Sequence, residues 1–422
     1  MNARRGIISG LIMAAAVAAL PAGGPDTAQA LGTETEKVRK TVVKFSDLNL
    51  HTEKDAKKLL GRIKRAAVRV CGGNSGTPRA YVRRSRASYR KCVKDSESRA
   101  RDTLIANLGN RAKNALTEGD LEKADDMHRR ALTLHKVLEQ KEKMAVHLDK
   151  LSEIAVMRGD FGGAESWREQ AFTLNEELGR RDQALADLDK LGWIAAERGD
   201  MEAARTHYRR ALALSAELHR TDDMARHIRN LGIIEWREGK YETAEALHRS
   251  SLALYQNTGN REGVARSLAD LAQLARSRGN NEAAEEYHHN ALSLHSELGR
   301  KRQMVIQHAN LWPLALEQNR FDEAEVHLQQ AVRLAREAGM TNELSALGEE
   351  QVGLLRLARG RPSEACAAWG RAHAIYKQIG KEAETARVRD MMRDKKCPAD
   401  GQQDPSLTAA LQLDLHTDEQ GR

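Results

Sequence analysis

Fifteen histidines are the first residues of this chain to invite a chemical reading. His128, His248 and His288 recur at multiples of forty, and His207 and His327 stand one place earlier in the same frame. Imidazoles at a repeated spacing could ligate a transition metal, which takes its donor atoms at about 2 Å. A forty-residue spacing, however, places these side chains on separate helices, and packed helices lie about 8–10 Å apart. The column cannot close on one ion, so the sequence predicts no metal and no cofactor. No H-E-x-x-H, G-x-S-x-G, phosphate-binding loop or dinucleotide fingerprint occurs. No catalytic residue is assigned, and an enzyme is not expected.

Four cysteines are the next reactive groups. No C-x-x-C occurs, which removes the usual redox and zinc motifs. An even number in an exported chain points to disulfides, and the local pairings are Cys71 with Cys92 and Cys366 with Cys397. The first thirty residues supply the export reading. Arg4 and Arg5 precede the apolar run GIISGLIMAAAVAAL, and Ala28-Gln29-Ala30 offers a small–x–small cleavage site. Fifteen apolar residues fall short of the roughly 20 that span a bilayer. The alternative, a retained membrane anchor, is thereby disfavoured. The expectation is a chain cut after Ala30 and delivered to the periplasm or secreted.

The elements that would position all these groups are written as a repeat. Ala124, Ala164, Ala204, Ala244, Ala284 and Ala324 are forty apart, and Ala365 follows one residue late. Seven positions after each comes Ala131, Ala171, Ala211, Ser251, Ala291, Ala331 or Ala372. Each unit has a turn before the first alanine, such as Gly159-Asp160 or Gly239-Lys240, and a second breaker at Gly179, Gly259, Gly299, Gly339 or Gly380. A further small residue stands twelve places before the first alanine: Ala112, Ser152, Gly192, Gly232, Ala272 and Gly353, with Trp312 breaking the column. The pattern predicts helix, tight turn, helix, turn, with small residues where helices cross. One such unit cannot bury its own apolar face, so neighbours must stack.

Charge divides the chain. The 422 residues carry a formal +8, yet residues 31–102 hold 20 Lys/Arg against 8 Asp/Glu, while residues 103–422 hold 46 against 51. A basic balance confined to one segment, together with export, argues against nucleic acid. Within that segment TVVKF suits a short strand, and Thr52 with Asp55 can cap a helix over 53–70 that buries Ala56, Leu59, Leu60, Ile63, Ala66, Ala67 and Val70. GGNSGTPRA is a loop, and a second helix begins near Ser88. The run Arg79, Arg83, Arg84, Arg86, Arg90, Lys91 and Lys94 is either a patch for an anionic envelope polymer or lipid surface, or a solvated face. The last residues, 396–422, are Gln/Asp-rich and expected to be disordered.

Two resemblances follow from these residues. VVKFSDLNLHTEKDAKKLLGRIKRAAVRVC and the later YRKCV resemble the UrcA family of small exported bacterial proteins, over about residues 41–105. That likeness implies export and a disulfide but no activity. The L-G…G-D-x-x-x-A…A-L pattern over about 103–395 resembles tetratricopeptide repeats of the forty-residue kinesin-light-chain type. It implies an α-solenoid whose first helices line a concave face that grips proteins or peptides. The expected fold is mainly α: about seven helix-turn-helix repeats behind a small α+β disulfide-stapled module. The expected boundaries are 1–30 leader, 31–102 module, 103–395 solenoid and 396–422 tail.

Carried onto this numbering, the repeat pattern places Asp149, Glu153, Asp189, Trp193 and Glu197 on the face in the second and third units. In the fourth and fifth it places Arg226, Arg229, Ile233, Trp236, Arg237, Arg266, Gln273 and Arg276. The partner-binding set is Asp189, Trp193, Arg226, Arg229, Trp236, Arg237, Arg266 and Arg276. A change from acidic to basic along the face would suit an extended acidic segment or a C-terminal carboxylate. The competing reading is that these arginines pair with neighbouring carboxylates and the tryptophans pack between helices. Pro313 falls inside a first helix and is expected to kink it. The identity of the partner and the oligomeric state are not encoded in any of these features.

Overall fold

A computed structural model describes residues 11–14, 40–71, 86–340 and 342–397. Among these there are two short strands and sixteen helices. Strands β1 (Leu11–Ala14) and β2 (Lys40–Val43) pair antiparallel, with Leu11 opposite Val43. The helices are α1 Glu53–Val70, α2 Arg86–Thr117, α3 Leu121–Val137, α4 Lys141–Met157, α5 Phe161–Glu177, α6 Arg181–Arg198, α7 Met201–Glu217 and α8 Thr221–Arg237. They continue as α9 Tyr241–Thr258, α10 Arg261–Ser277, α11 Asn281–Glu297, α12 Lys301–Glu317, α13 Phe321–Glu337, α14 Asn342–Ala358, α15 Pro362–Gln378 and α16 Glu382–Asp394. From α2 to α15 they form seven helical hairpins, the repeat unit of an α-solenoid, and α16 follows the last. The chain divides into two compact units, residues 1–214 and 215–422.

The turns come from a chemistry used repeatedly. After α4, Gly159 has φ +73°, its N–H donates to the Val156 carbonyl, and the Asp160 N–H reaches back to Ala155. This pair of bonds satisfies the carbonyls left over at the helix end. The Asp160 side chain then accepts from the Gly163 N–H and caps α5. One Gly-Asp pair therefore ends a helix and begins the next. Left-handed backbone also occurs at Glu139, His219 and Asn319, with φ between 54° and 60°. Glu139 and His219 fill the second-breaker column where the sequence shows no glycine.

The alanine columns do what their spacing predicts. Ala124, Ala164, Ala204, Ala244, Ala284, Ala324 and Ala365 are all fully buried. The small-residue column twelve places earlier has a more specific purpose than letting two backbones approach. A Cβ on Gly192 would meet the Tyr208 ring at 2.6 Å, one on Gly232 the His248 ring at 2.8 Å, and one on Gly353 the Trp369 ring at 2.3 Å. Each glycine thus vacates the space filled by a ring sixteen residues later. Where Trp312 interrupts the column, the residue at the ring position is Leu328, and the two pack in one cluster.

In unit 1, α1 begins at the Thr52 cap and buries Ala56, Leu59, Ile63, Ala66, Ala67 and Val70; Leu60 is half-buried. A disulfide joins Cys71 to Cys92 with their Cα atoms 6.1 Å apart. The expected boundary at 102/103 falls inside α2, a continuous helix of 32 residues. Val43, Leu50, Leu59 and Ile63 share a core with Leu104, Leu108, Met127 and Leu134. The stapled module and the first repeat are therefore packed as one body. In unit 2, a second disulfide ties Cys366 of α15 to Cys397 beyond α16. α12 runs unbroken through Pro313. The leader apart from β1, the loop 72–85 with Arg79, Arg83 and Arg84, and the tail from 398 lie outside the described residues. No helix among the described residues is long and apolar enough to cross a membrane.

Candidate functional site

In unit 2 the first helices α8 and α10 carry the basic residues singled out by the repeat pattern, and α8, α10 and the next first helix, α12, are linked at a spacing of 41 residues. Arg229 of α8 holds both oxygens of Asp270 on α10, one of them at 3.1 Å. The Trp236 indole N–H donates to Ser277 Oγ at 2.9 Å, and Arg276 of α10 reaches Glu317 of α12 at 3.3 Å. Arg226 pairs with Asp223 at 2.7 Å, and Arg266 with Glu262, which also accepts from Arg300 at 2.8 Å. Arg237 is exposed, and Ile233 and Gln273 are half-buried. Each of Arg226, Arg229, Arg266 and Arg276 thus faces a carboxylate. These four arginines are paired with carboxylates of the same or the neighbouring first helix.

In unit 1 the acidic members are compensated in the same way. Lys190 of α6 donates to Asp149 at 3.1 Å and to Glu153 at 3.4 Å, both on α4. Arg168, fully buried on α5, contacts Asp149 and lies 3.1 Å from Asp187. Asp187 in turn accepts from Asn175 at 2.7 Å. Burial lowers the Arg168 and Lys190 pKa values while the neighbouring carboxylates oppose it. Such a buried cluster is strongly destabilised when one member is removed. Asp189 is half-buried and Glu197 exposed. Trp193 stands edge-on to Phe161 with 43% of its surface exposed, so it offers apolar contact area to a ligand.

Eight of the histidines fall into three groups. His248 and His288 stack under the small-residue column as fully buried packing rings, and burial lowers both pKa values. His128 of α3 meets His147 of α4, Nδ1 to Nδ1, at 3.1 Å, and His135 stacks on His147. The third group was not legible from the forty-residue column. His289 of α11, Glu323 and His327 of α13 bring ligand atoms within 4.8 Å of one another. His308 of α12 meets His327, Nδ1 to Nδ1, at 2.9 Å. Column arithmetic still holds for His288 and Leu328 themselves. The residues that converge are their neighbours, His289 one place after and His327 one place before, which lean toward each other across the repeat.

Residues 223–297 match a model of the tetratricopeptide repeat, and residues 188–218 match another. No curated protein matches the sequence. Among solved structures, a Signal Transduction ATPase with Numerous Domains protein from Pyrococcus horikoshii, with a tetratricopeptide repeat sensor, is similar at 13% identity and TM-score 0.50. That likeness covers 80% of this chain and 55% of the other. BtubC (BKLC) of P. vanneervenii is 22% identical over 57% of this chain and 92% of its own, with TM-score 0.41. A putative kinesin light chain repeat protein of Podosopora anserina is 16% identical over 47% and 96%, with TM-score 0.40.

Proposed function

We propose that this chain is an exported, non-enzymatic scaffold that binds a protein or peptide partner on the face formed by its first helices. The observation that carries the reading is the row of arginines on α8 and α10, with Trp236, inside the residues that match the tetratricopeptide repeat. Arginine forks match carboxylates in two dimensions, and an aromatic beside them adds apolar area. Because Arg229 and Arg266 already hold Asp270 and Glu262, an acidic ligand exchanges one carboxylate for another. The Arg266–Glu262 pair is largely exposed, and such pairs contribute only about 0–1 kcal/mol; the part-buried Arg229–Asp270 pair is the costlier of the two to open. The partner we infer presents an extended acidic segment or a free C-terminal carboxylate.

Crosslinking in the native exported fraction would recover that partner, and titration against wild type and an R229E/R266E double variant would test the face. Binding is expected to weaken at least tenfold in the variant. Undiminished binding by a double variant with native circular dichroism removes this face as the site.

Residues 31–102, with their surplus of positive charge, support a second reading. Arg90, Lys91 and Lys94 are exposed on α2. In this reading the UrcA-like module, about residues 41–105, docks on anionic envelope polymer or lipid and the repeats act as a spacer. Salt-sensitive retention on anionic vesicles, unaffected by R229E/R266E, would select it. Export rests on the leader and on two disulfides, which persist in oxidising compartments.

A further inference from the structure

The cluster around His327 has the composition and layering of a metal site. His289 on α11 and Glu323 and His327 on α13 present one ligand atom each within 4.8 Å. His327 Nε2 lies 3.7 Å from Glu323 Oε1. The opposite ring nitrogen, Nδ1, is occupied by His308 of α12 at 2.9 Å. That bond fixes the His327 ring and leaves Nε2 directed at the carboxylate, which is how outer partners orient ligating imidazoles. The second Glu323 oxygen is held by Arg320 at 2.5 Å, and Arg320 also pairs with Glu285, 3.8 Å from His289. Glu323 Oε1 therefore stays available while its partner oxygen is anchored.

We propose that His289, Glu323 and His327 bind a divalent transition-metal ion of the zinc class, with His308 and Arg320 as positioning residues behind them. Two imidazoles and one carboxylate are a donor set that zinc accepts, leaving a coordination position for water. Imidazole favours zinc, nickel or copper over calcium or magnesium, whose ligands are oxygens. The ligand atoms, now within 4.8 Å of one another, need to close by up to about 1.5 Å to reach the separation of about 3.3 Å that tetrahedral zinc sets. His289 is 45% and Glu323 36% exposed at the side chain, so both have room to move, while the buried His327 serves as the fixed point. The ion would tie α11 to α13, the second helices of consecutive repeats, and so lock unit 2 against opening at that step. Residues 289, 308 and 327 are each nineteen apart, a spacing that no forty-residue column displays.

The test uses the full chain, stripped with chelator and titrated calorimetrically with Zn2+ alone. One ion per chain is expected at this site. H289Q and E323Q, both at partly exposed positions that leave the core intact, are each expected to weaken it at least tenfold. H308Q should weaken it by about 10–100-fold, as outer partners do, and H147Q, at the separate histidine cluster of unit 1, should leave it unchanged. Substitution with Co2+ should give a visible ligand-field spectrum that H289Q abolishes. Zn2+ binding that survives H289Q and E323Q in folded protein, or that H147Q removes instead, overturns the assignment. So does the absence of stoichiometric binding to the wild-type chain.

Discussion

Two side-chain pairs set the terms at the scale of single residues. The first is Gly192 with Tyr208. An added methyl at Gly192 meets the ring at 2.6 Å, and the ring is buried between helices. Overpacking of this kind costs about 1–3 kcal/mol, so G192A is expected to lower unfolding stability by that amount. The same two positions in other repeats carry Ala112 with His128 and Ala272 with His288. G192A/Y208H imports that smaller ring and should recover part of the loss in a denaturant titration. No recovery would mean that glycine serves the backbone and not the ring. The second pair is His147 with His128. Burial, then the neighbouring His128 and His135, lower the His147 pKa to about 3. An unfolded imidazole titrates near 6.5. Between those values the unfolded chain binds the extra proton, so stability is complete above pH ~6.5 and falls as pH drops toward ~3. The slope approaches about 1.4 kcal/mol per pH unit for one histidine. An NMR titration should show a His147 ring that is still neutral at pH 5; protonation near 6.5 would contradict the burial argument.

Helices and turns make the forty-residue frame visible in the sequence. Alanines at crossing points, glycines at left-handed turns and Asp or Asn caps each obey a local rule, and local rules can be read along a chain. Where other chemistry replaces the usual residue, reading fails. Glu139 and His219 take left-handed backbone, φ 54° and 55°, without the glycine that normally marks it. A non-glycine residue there costs about 1–2 kcal/mol, and both side chains are exposed. H219G should therefore raise stability by roughly 1 kcal/mol, offset slightly by added freedom in the unfolded chain. A thermal midpoint that falls instead would show that the His219 side chain contributes a contact worth more than the strain. The face residues show a second limit. Their position on first helices followed from the repeat frame, but the pairing of Arg229 with Asp270 and Arg276 with Glu317 did not. That pairing depends on how far one hairpin is rotated against the next, a quantity that spacing alone does not contain. The same rotation brings His289 toward His327. The Cys71–Cys92 bridge was accessible because only 21 residues separate two lone cysteines that flank one loop.

At the scale of the whole chain, we predict that residues 1–30 are dispensable to the fold. β1 belongs to the segment expected to be removed after Ala30, and it contributes four residues of pairing to β2. Among the described residues, the other contacts that hold the start of unit 1 lie downstream of residue 30. Val43 and Leu50 pack on α1, Arg62 grips Asp47 at 2.6 Å and 2.7 Å, and His51 meets Asp126 at 2.8 Å. Lys136 pairs with Glu53 at 2.9 Å, and the Cys71–Cys92 bridge closes α1 onto α2. The Arg62 guanidinium, through its hydrogen bonds, lowers the Asp47 pKa to about 2, so this pair persists through the neutral and mildly acidic range. Among the described residues, the core that joins the module to the first repeat runs from Val43 on α1's flank to Leu134 of α3. A chain starting at Leu31 is therefore expected to melt within a few degrees of the full-length chain, since about 1 kcal/mol moves the midpoint of a unit this size by roughly 2–4 °C. Intact-mass measurement of the exported protein should give a species beginning at Leu31. A mature mass that includes residues 1–30 would refute cleavage. A large drop in the melting midpoint of the shortened chain would assign β1 a structural role in place of an address.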